Sequence, residues 1–135
     1  MESKNFDINY TGSLQTQMIH LKSGTIVHTD APVDNNGKGS CFSPTDLVAS
    51  ALCSCMLTII GIHFSKNGRE LSEISCEVKK VMASGPRRIA EVHIDFDFKE
   101  NNFSEQELQT VERIAMSCPV ANSLSADLKV ITNLG

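Results

Sequence analysis

Hydrophobic and polar positions change rhythm several times along this chain, and each change marks the start of a new element. Residues 5 to 11 and 15 to 22 alternate polar and apolar positions around Thr11-Gly12-Ser13, and a third such run covers Gly24 to His28. Three short strands are predicted, in an antiparallel meander. From Thr29 to Ser43 the segment TDAPVDNNGKGSCFS has no period and many turn formers, so it reads as a loop, of a length that often faces a ligand. Residues 47 to 64, LVASALCSCMLTIIGIHF, then lose the alternation altogether and carry no acidic residue, lysine or arginine. Ser43 can cap a helix with its hydroxyl, Pro44 suits the first helical position, and Asp46 completes a near capping box at the positive dipole end. With Lys66 in the last turn and Gly68 free to close it, a helix over 44–66 is predicted, roughly 35 Å long at about 1.5 Å per residue.

After Gly68 the two-residue period returns. Residues 71 to 83 and 87 to 98 are β-like, joined by Ser84-Gly85-Pro86; in the second run Ala90, Val92, Ile94, Phe96 and Phe98 share the face to be buried. Ser104 then caps EQELQTVERIAMS, in which Leu108, Val111, Ile114 and Ala115 recur at helical spacing. This amphipathic helix ends near Cys118, Pro119 opens a second short helix, VANSLSA, and a last strand is predicted over 127–132. The expected class is α+β in a single domain, 1–135. A helix apolar on all sides needs cover on more than one side, which a small domain obtains from a partner subunit. Residues 47 to 64 also reach the lower edge of transmembrane length. Ser50, Ser54, Thr58 and His63 dilute the stretch and no aromatic belt flanks it, so a core helix is the expectation.

Composition narrows the partners. With 135 residues, a net charge of −4 and scattered basic residues, the chain offers no surface for nucleic acid or an acidic membrane. It lacks Trp and has only Tyr10, which leaves little for stacking on bases or sugars. The N-terminus has no apolar run followed by a small-residue cleavage site, so a cytoplasmic location is expected. Five cysteines, at 41, 53, 55, 76 and 118, then read as reduced thiols rather than a disulfide framework. No CxxC pair or zinc-like spacing occurs among them, and neither a metal nor a bound cofactor is expected.

Two of these thiols sit on the long helix, two residues apart and so about 200° apart around its axis. Cys55 shares a face with Val48, Ala51, Leu52, Thr58, Ile59 and Ile62, and Cys53 with Ala49, Met56 and Ile60. Either alone reads as a small buried hydrophobe. Cys118, in Ser117-Cys118-Pro119-Val120, falls at a helix N-terminus, where the dipole and unpaired N–H groups favour thiolate; a capping cysteine that merely packs is the other reading. Two thiols that met could reduce a peroxide: thiolate attack on the O–O bond gives a sulfenic acid, which the second thiol converts to a disulfide.

SPTDLVASALCSC followed by SCPVAN, with a strand meander before and a β pair containing GPRRI between, resembles the OsmC and organic-hydroperoxide-resistance (Ohr) family from about Gly24 to the end. The resemblance implies an OsmC-like fold: antiparallel β-sheets packed on a long central cysteine-bearing helix, in an intertwined homodimer with sites at the subunit interface. It implies that Cys55, eleven residues after Pro44, is the peroxidatic nucleophile and Cys118 the resolving cysteine of a thiol-dependent peroxidase. Organic hydroperoxides would be the substrate and an external dithiol the reductant. The sequence departs from the family's peroxidases in two places. No arginine precedes Arg69, and Thr45 stands where they carry a glutamate, with Asp46 next to it. Lys22, Arg87, Arg88 and His63 are the remaining candidates to hold the thiolate or line the site, each with a plain structural alternative. The competing functional reading is a non-catalytic dimer that binds a small apolar ligand or senses redox state.

Overall fold

A computed structural model describes residues 3–135 of the chain. The chain folds as two compact units, Met1–Leu47 and Val48–Gly135.

The first unit holds strands β1 (Phe6–Gly12), β2 (Gln15–His20) and β3 (Ile26–Asp30). They form the expected antiparallel meander in the order β1-β2-β3, with Ile8 opposite Met18 and Met18 opposite Val27. The β1–β2 connection bends through Gly12, Ser13 and Leu14, all at positive φ, which a glycine supplies without steric cost and which makes the bulge there. The third strand begins and ends two residues later than the alternation suggested, so it carries Thr29 and Asp30 into the unit's interior. The physical reason is local: Asp30 accepts hydrogen bonds from the backbone N–H and hydroxyl of Ser40, and the Asp30 N–H donates to the Phe42 carbonyl. The loop of residues 31 to 43 is therefore folded back on the strand end and includes a 3₁₀ turn, Val33–Asn35.

Helix α1 spans Pro44–Lys66, the bounds its sequence signals predicted. Its start is a reciprocal cap, in which the Asp46 N–H donates to Ser43 Oγ at 3.1 Å and the Ser43 N–H donates to Asp46 Oδ2 at 2.9 Å. Gly68, at φ +82°, closes the other end.

In the second unit, β4 (Ser75–Ala83) and β5 (Arg88–Asp97) form an antiparallel hairpin, and β6 (Lys129–Asn133) adds to β5 in parallel. This corrects the expectation of purely antiparallel sheets. The second sheet is mixed because the chain between β5 and β6 runs through helices α2 (Glu105–Met116) and α3 (Pro119–Ser123), a crossover long enough to bring β6 back in the same direction. Residues 71 to 74 are not strand. Asn101 takes their backbone instead, accepting from the Ser72 N–H at 2.8 Å and donating to the Ser72 and Glu73 carbonyls. The core of this unit joins Leu52, Met56 and Ile60 of α1, Val92, Ile94 and Phe96 of β5, and Val111, Ile114 and Ala115 of α2.

Candidate functional site

The alternation of β5 and the 3.6-residue period of α1 together decide where each sulfur lies. Leu52, Cys53, Met56 and Ile60 form the buried stripe of the helix, while Ala51, Ser54, Thr58 and Ile62 form an exposed one. Cys55 stands between the two stripes, half-buried and packed against the core. Cys118 is the N-cap of α3: Pro119 occupies the first turn and the Ala121 N–H donates to the Cys118 sulfur at 3.3 Å. Its side chain is completely buried.

The structure brings Cys55 and Cys118 together, with their thiols in hydrogen-bonding contact. Burial raises the pKa of Cys118 above the ordinary thiol value; the N–H groups of Ala121 and Val120 oppose this, and the adjacent Cys55 sulfur adds to it. Of the two readings of Cys118, a thiolate at a helix N-terminus or a capping cysteine that packs, burial favours the second. A five-residue helix has a small dipole, and desolvation outweighs it. Cys118 thus keeps its proton at neutral pH, and Cys55 is the more exposed sulfur of the two. Such a pair can support nucleophilic attack at Cys55 followed by closure to a disulfide.

Each of the other candidates has its own local setting. His63 lies eight residues beyond Cys55 on α1, about 12 Å along the axis, too far to hold its thiolate within one chain; its ring meets Phe64 edge-on. Arg87 and Arg88 are exposed in the β4–β5 turn, where Arg88 donates to the carbonyls of Ser84 and Pro86 at 3.2 and 2.9 Å. In the first unit, Lys22 is exposed in the β2–β3 turn, Thr45 shares a 3.2 Å hydroxyl contact with Ser43, and Asp46 completes the cap described above. Among the described residues no cluster of His, Cys, Asp and Glu is arranged to hold a metal ion.

Residues 37–133 match the family model described as OsmC-like protein, a span that includes both thiols and almost all of the second unit. The chain belongs to the OsmC-like family. The membership agrees with solved structures. A protein of Psychrobacter arcticus 273-4, assigned to osmotic stress induction and the detoxification response, is 41% identical and superposes with a TM-score of 0.94 over 100% of this chain and 98% of its own. At the level of fold alone, the organic hydroperoxide resistance protein OsmC of Legionella pneumophila (14% identity, TM-score 0.73, 98% of each chain) is similar. So is the organic hydroperoxide resistance protein OhrB of Bacillus subtilis (14%, TM-score 0.64, 96% and 97%). A comparison with curated proteins finds no match.

Sequence reasoning on this OsmC-like chain missed one pairing. Cys53, read as packing alone, hydrogen-bonds to Cys76 of β4. Strand alternation in 71–83 was the available signal, but the register of β4 on β5, which sets the face Cys76 occupies, is a tertiary fact.

Proposed function

We propose that this OsmC-like protein is a thiol peroxidase in which Cys55 attacks the O–O bond of an organic hydroperoxide and Cys118 resolves the product, serving oxidative-stress defence. The observation that supports the reading is the contact between a half-buried Cys55 thiol and a buried Cys118 thiol that keeps its proton. The Cys55 thiolate takes the distal oxygen and the O–O bond breaks. Alkoxide leaves, takes up a proton and departs as alcohol, and Cys55 becomes the sulfenic acid. The Cys118 sulfur then attacks Cys55, the S–O bond breaks, and hydroxide takes the Cys118 proton to give water and a disulfide. An external dithiol returns both sulfurs to thiols by exchange. No bound cofactor takes part, and a reducing cytoplasm suits the five free cysteines.

The functional unit in this proposal is an intertwined homodimer with α1 at its centre. Support comes from what one chain leaves uncovered. The most apolar window of α1 is only 33% buried although the helix is long and apolar enough to cross a membrane. Phe6, Ile8, Ile26 and Val27 are also exposed, and several of them line an apolar groove of about 310 Å³ on the β1–β2–β3 sheet. That groove is also the observation that favours the second reading, a non-catalytic dimer binding a small apolar ligand.

Turnover decides between them. With cumene hydroperoxide and a dithiol, the peroxidase reading expects steady consumption of peroxide by the wild type and a loss of activity on the order of 100-fold or more in Cys55→Ser, as for removal of a catalytic nucleophile. No turnover, or full turnover in that variant, leaves only the ligand-binding reading. Sedimentation of the purified protein checks the dimer: a monomer at micromolar concentration contradicts it.

A further inference from the structure

Four of the five cysteines are arranged as two pairs on opposite sides of one helix. Cys53 and Cys55 are two residues apart on α1, about 200° around its axis, and each meets a different partner. We propose that Cys53 and Cys76 are a second redox dithiol, chemically independent of the Cys55/Cys118 pair, which hydrogen peroxide converts to a disulfide tying α1 to β4. The proposal does not rest on the peroxidase reading of Cys55.

Geometry carries it. In the β4–β5 ladder Cys76 faces Phe96, Val78 faces Ile94 and Lys80 faces Val92. Directly opposed residues share a sheet face, and Phe96, Ile94 and Val92 are all buried in the core that α1 enters. Cys76 thereby lies on the face that packs against the core, the cluster to which Cys53 belongs. Cys53 lies on the buried stripe, 5% exposed, and the two thiols are in hydrogen-bonding contact while both remain free. A sulfur–sulfur bond between them requires Cβ atoms about 3.5–4.5 Å apart.

The pair is polarised. The hydrogen bond from Cys76 lowers the pKa of Cys53 against its burial, and the same contact, with desolvation, pushes Cys76 up. With Cys53 as the attacking sulfur, Cys76 is the resolving thiol. Cys53 attacks one oxygen of hydrogen peroxide, the O–O bond breaks and hydroxide leaves, giving a sulfenic acid. Cys76 then attacks Cys53, the S–O bond breaks and the second hydroxide takes the Cys76 proton. Two thiols lose two electrons and two protons, and peroxide is reduced to two waters. Because Cys53 is reached only through the packed core, the small oxidant is favoured over a bulky one. Exchange with a Cys55/Cys118 disulfide is barred by the opposite orientation of Cys53 and Cys55, so the second pair stores its oxidation state separately.

The test uses the Cys41→Ser/Cys55→Ser/Cys118→Ser variant, in which only Cys53 and Cys76 remain. Treated with hydrogen peroxide, it is expected to lose about 2 Da and to link tryptic peptide 39–66 to 70–79. Its midpoint of thermal unfolding should rise by roughly 5–10 °C, as a loop of about 24 residues is closed, and fall back on reduction. Cumene hydroperoxide should act more slowly. Thiols that both alkylate after unfolding, or a gain of oxygens without a link, overturn the proposal. Should the variant fail to fold, the wild type answers the same question. After excess peroxide, fragmentation of the 39–66 to 70–79 adduct should place the link at Cys53, and finding peptide 39–66 joined only to 114–129 overturns it.

Discussion

Replacing Asn101 with alanine should unfold the second unit's least regular part, and the cost can be worked from its hydrogen bonds. The Asn101 side chain is 7% exposed and stands in for the sheet ladder that residues 71 to 74 lack. Its Oδ1 accepts from the Ser72 N–H at 2.8 Å and the Ser72 hydroxyl at 3.0 Å, and its Nδ2 donates to the carbonyls of Ser72, Glu73 and Phe98 at 3.0, 3.1 and 3.0 Å. At a net of about 1 kcal/mol per hydrogen bond, with some partners regaining water, the loss comes to about 2–4 kcal/mol. That corresponds to a fall of roughly 8–15 °C in the midpoint of thermal unfolding for a chain of this size. Asn101→Asp sharpens the test because it keeps the shape and removes the donor. Its carboxylate would face three carbonyl oxygens, so the folded state raises its pKa above the unfolded value. The variant is then most stable at low pH and loses stability as pH rises through that raised pKa. Urea titrations of both variants at pH 4.5 and 7 measure this. A cost below 1 kcal/mol for alanine, or a pH-independent cost for aspartate, would refute the role assigned to Asn101.

Leu52 is completely buried where α1 meets β5 and α2, so Leu52→Ala should cost about 3–5 kcal/mol in the same titration, and a cost below 1 kcal/mol contradicts the packing described. Cys118 gives a prediction in pH. Its folded pKa is raised above the ordinary 9.0, so the unfolded chain loses the proton first, and stability is full below pH 9 and declines above it. The decline should be shallower in Cys118→Ala, and an unchanged slope would show that Cys118 is not protonated by burial.

The elements that the sequence announced most clearly are those with local causes. Helix α1 was legible to the residue because Ser43, Pro44, Asp46 and Gly68 act within one turn of its ends. Ser104 likewise marked the start of α2, which ends at Met116, two residues before the Cys118 at which its end was expected. What depended on distant partners was not legible. The direction of β6 follows from the crossover through α2 and α3, and the extension of β3 to Asp30 follows from Ser40 and Phe42, neither of which has a periodic signal. In the site, helical period separated Cys53 from Cys55, and the Cys-Pro motif placed Cys118 at a helix start. The ionisation of Cys118 stayed open between two readings, since burial is invisible in a dipole argument. Cys76 was passed over because only strand register could place it on the face that packs against the core.

The pairing of Cys55 with Cys118 is the claim on which the functional account stands, and one mass measurement meets it directly. Cys118→Ser treated with one equivalent of cumene hydroperoxide should gain about 16 Da, trapped as a sulfenic acid on Cys55, whereas the wild type should lose about 2 Da and join peptide 39–66 to 114–129 through Cys55. A wild type that gains oxygen at Cys55 without forming that link, or a Cys118→Ser variant that stays unmodified, would contradict it.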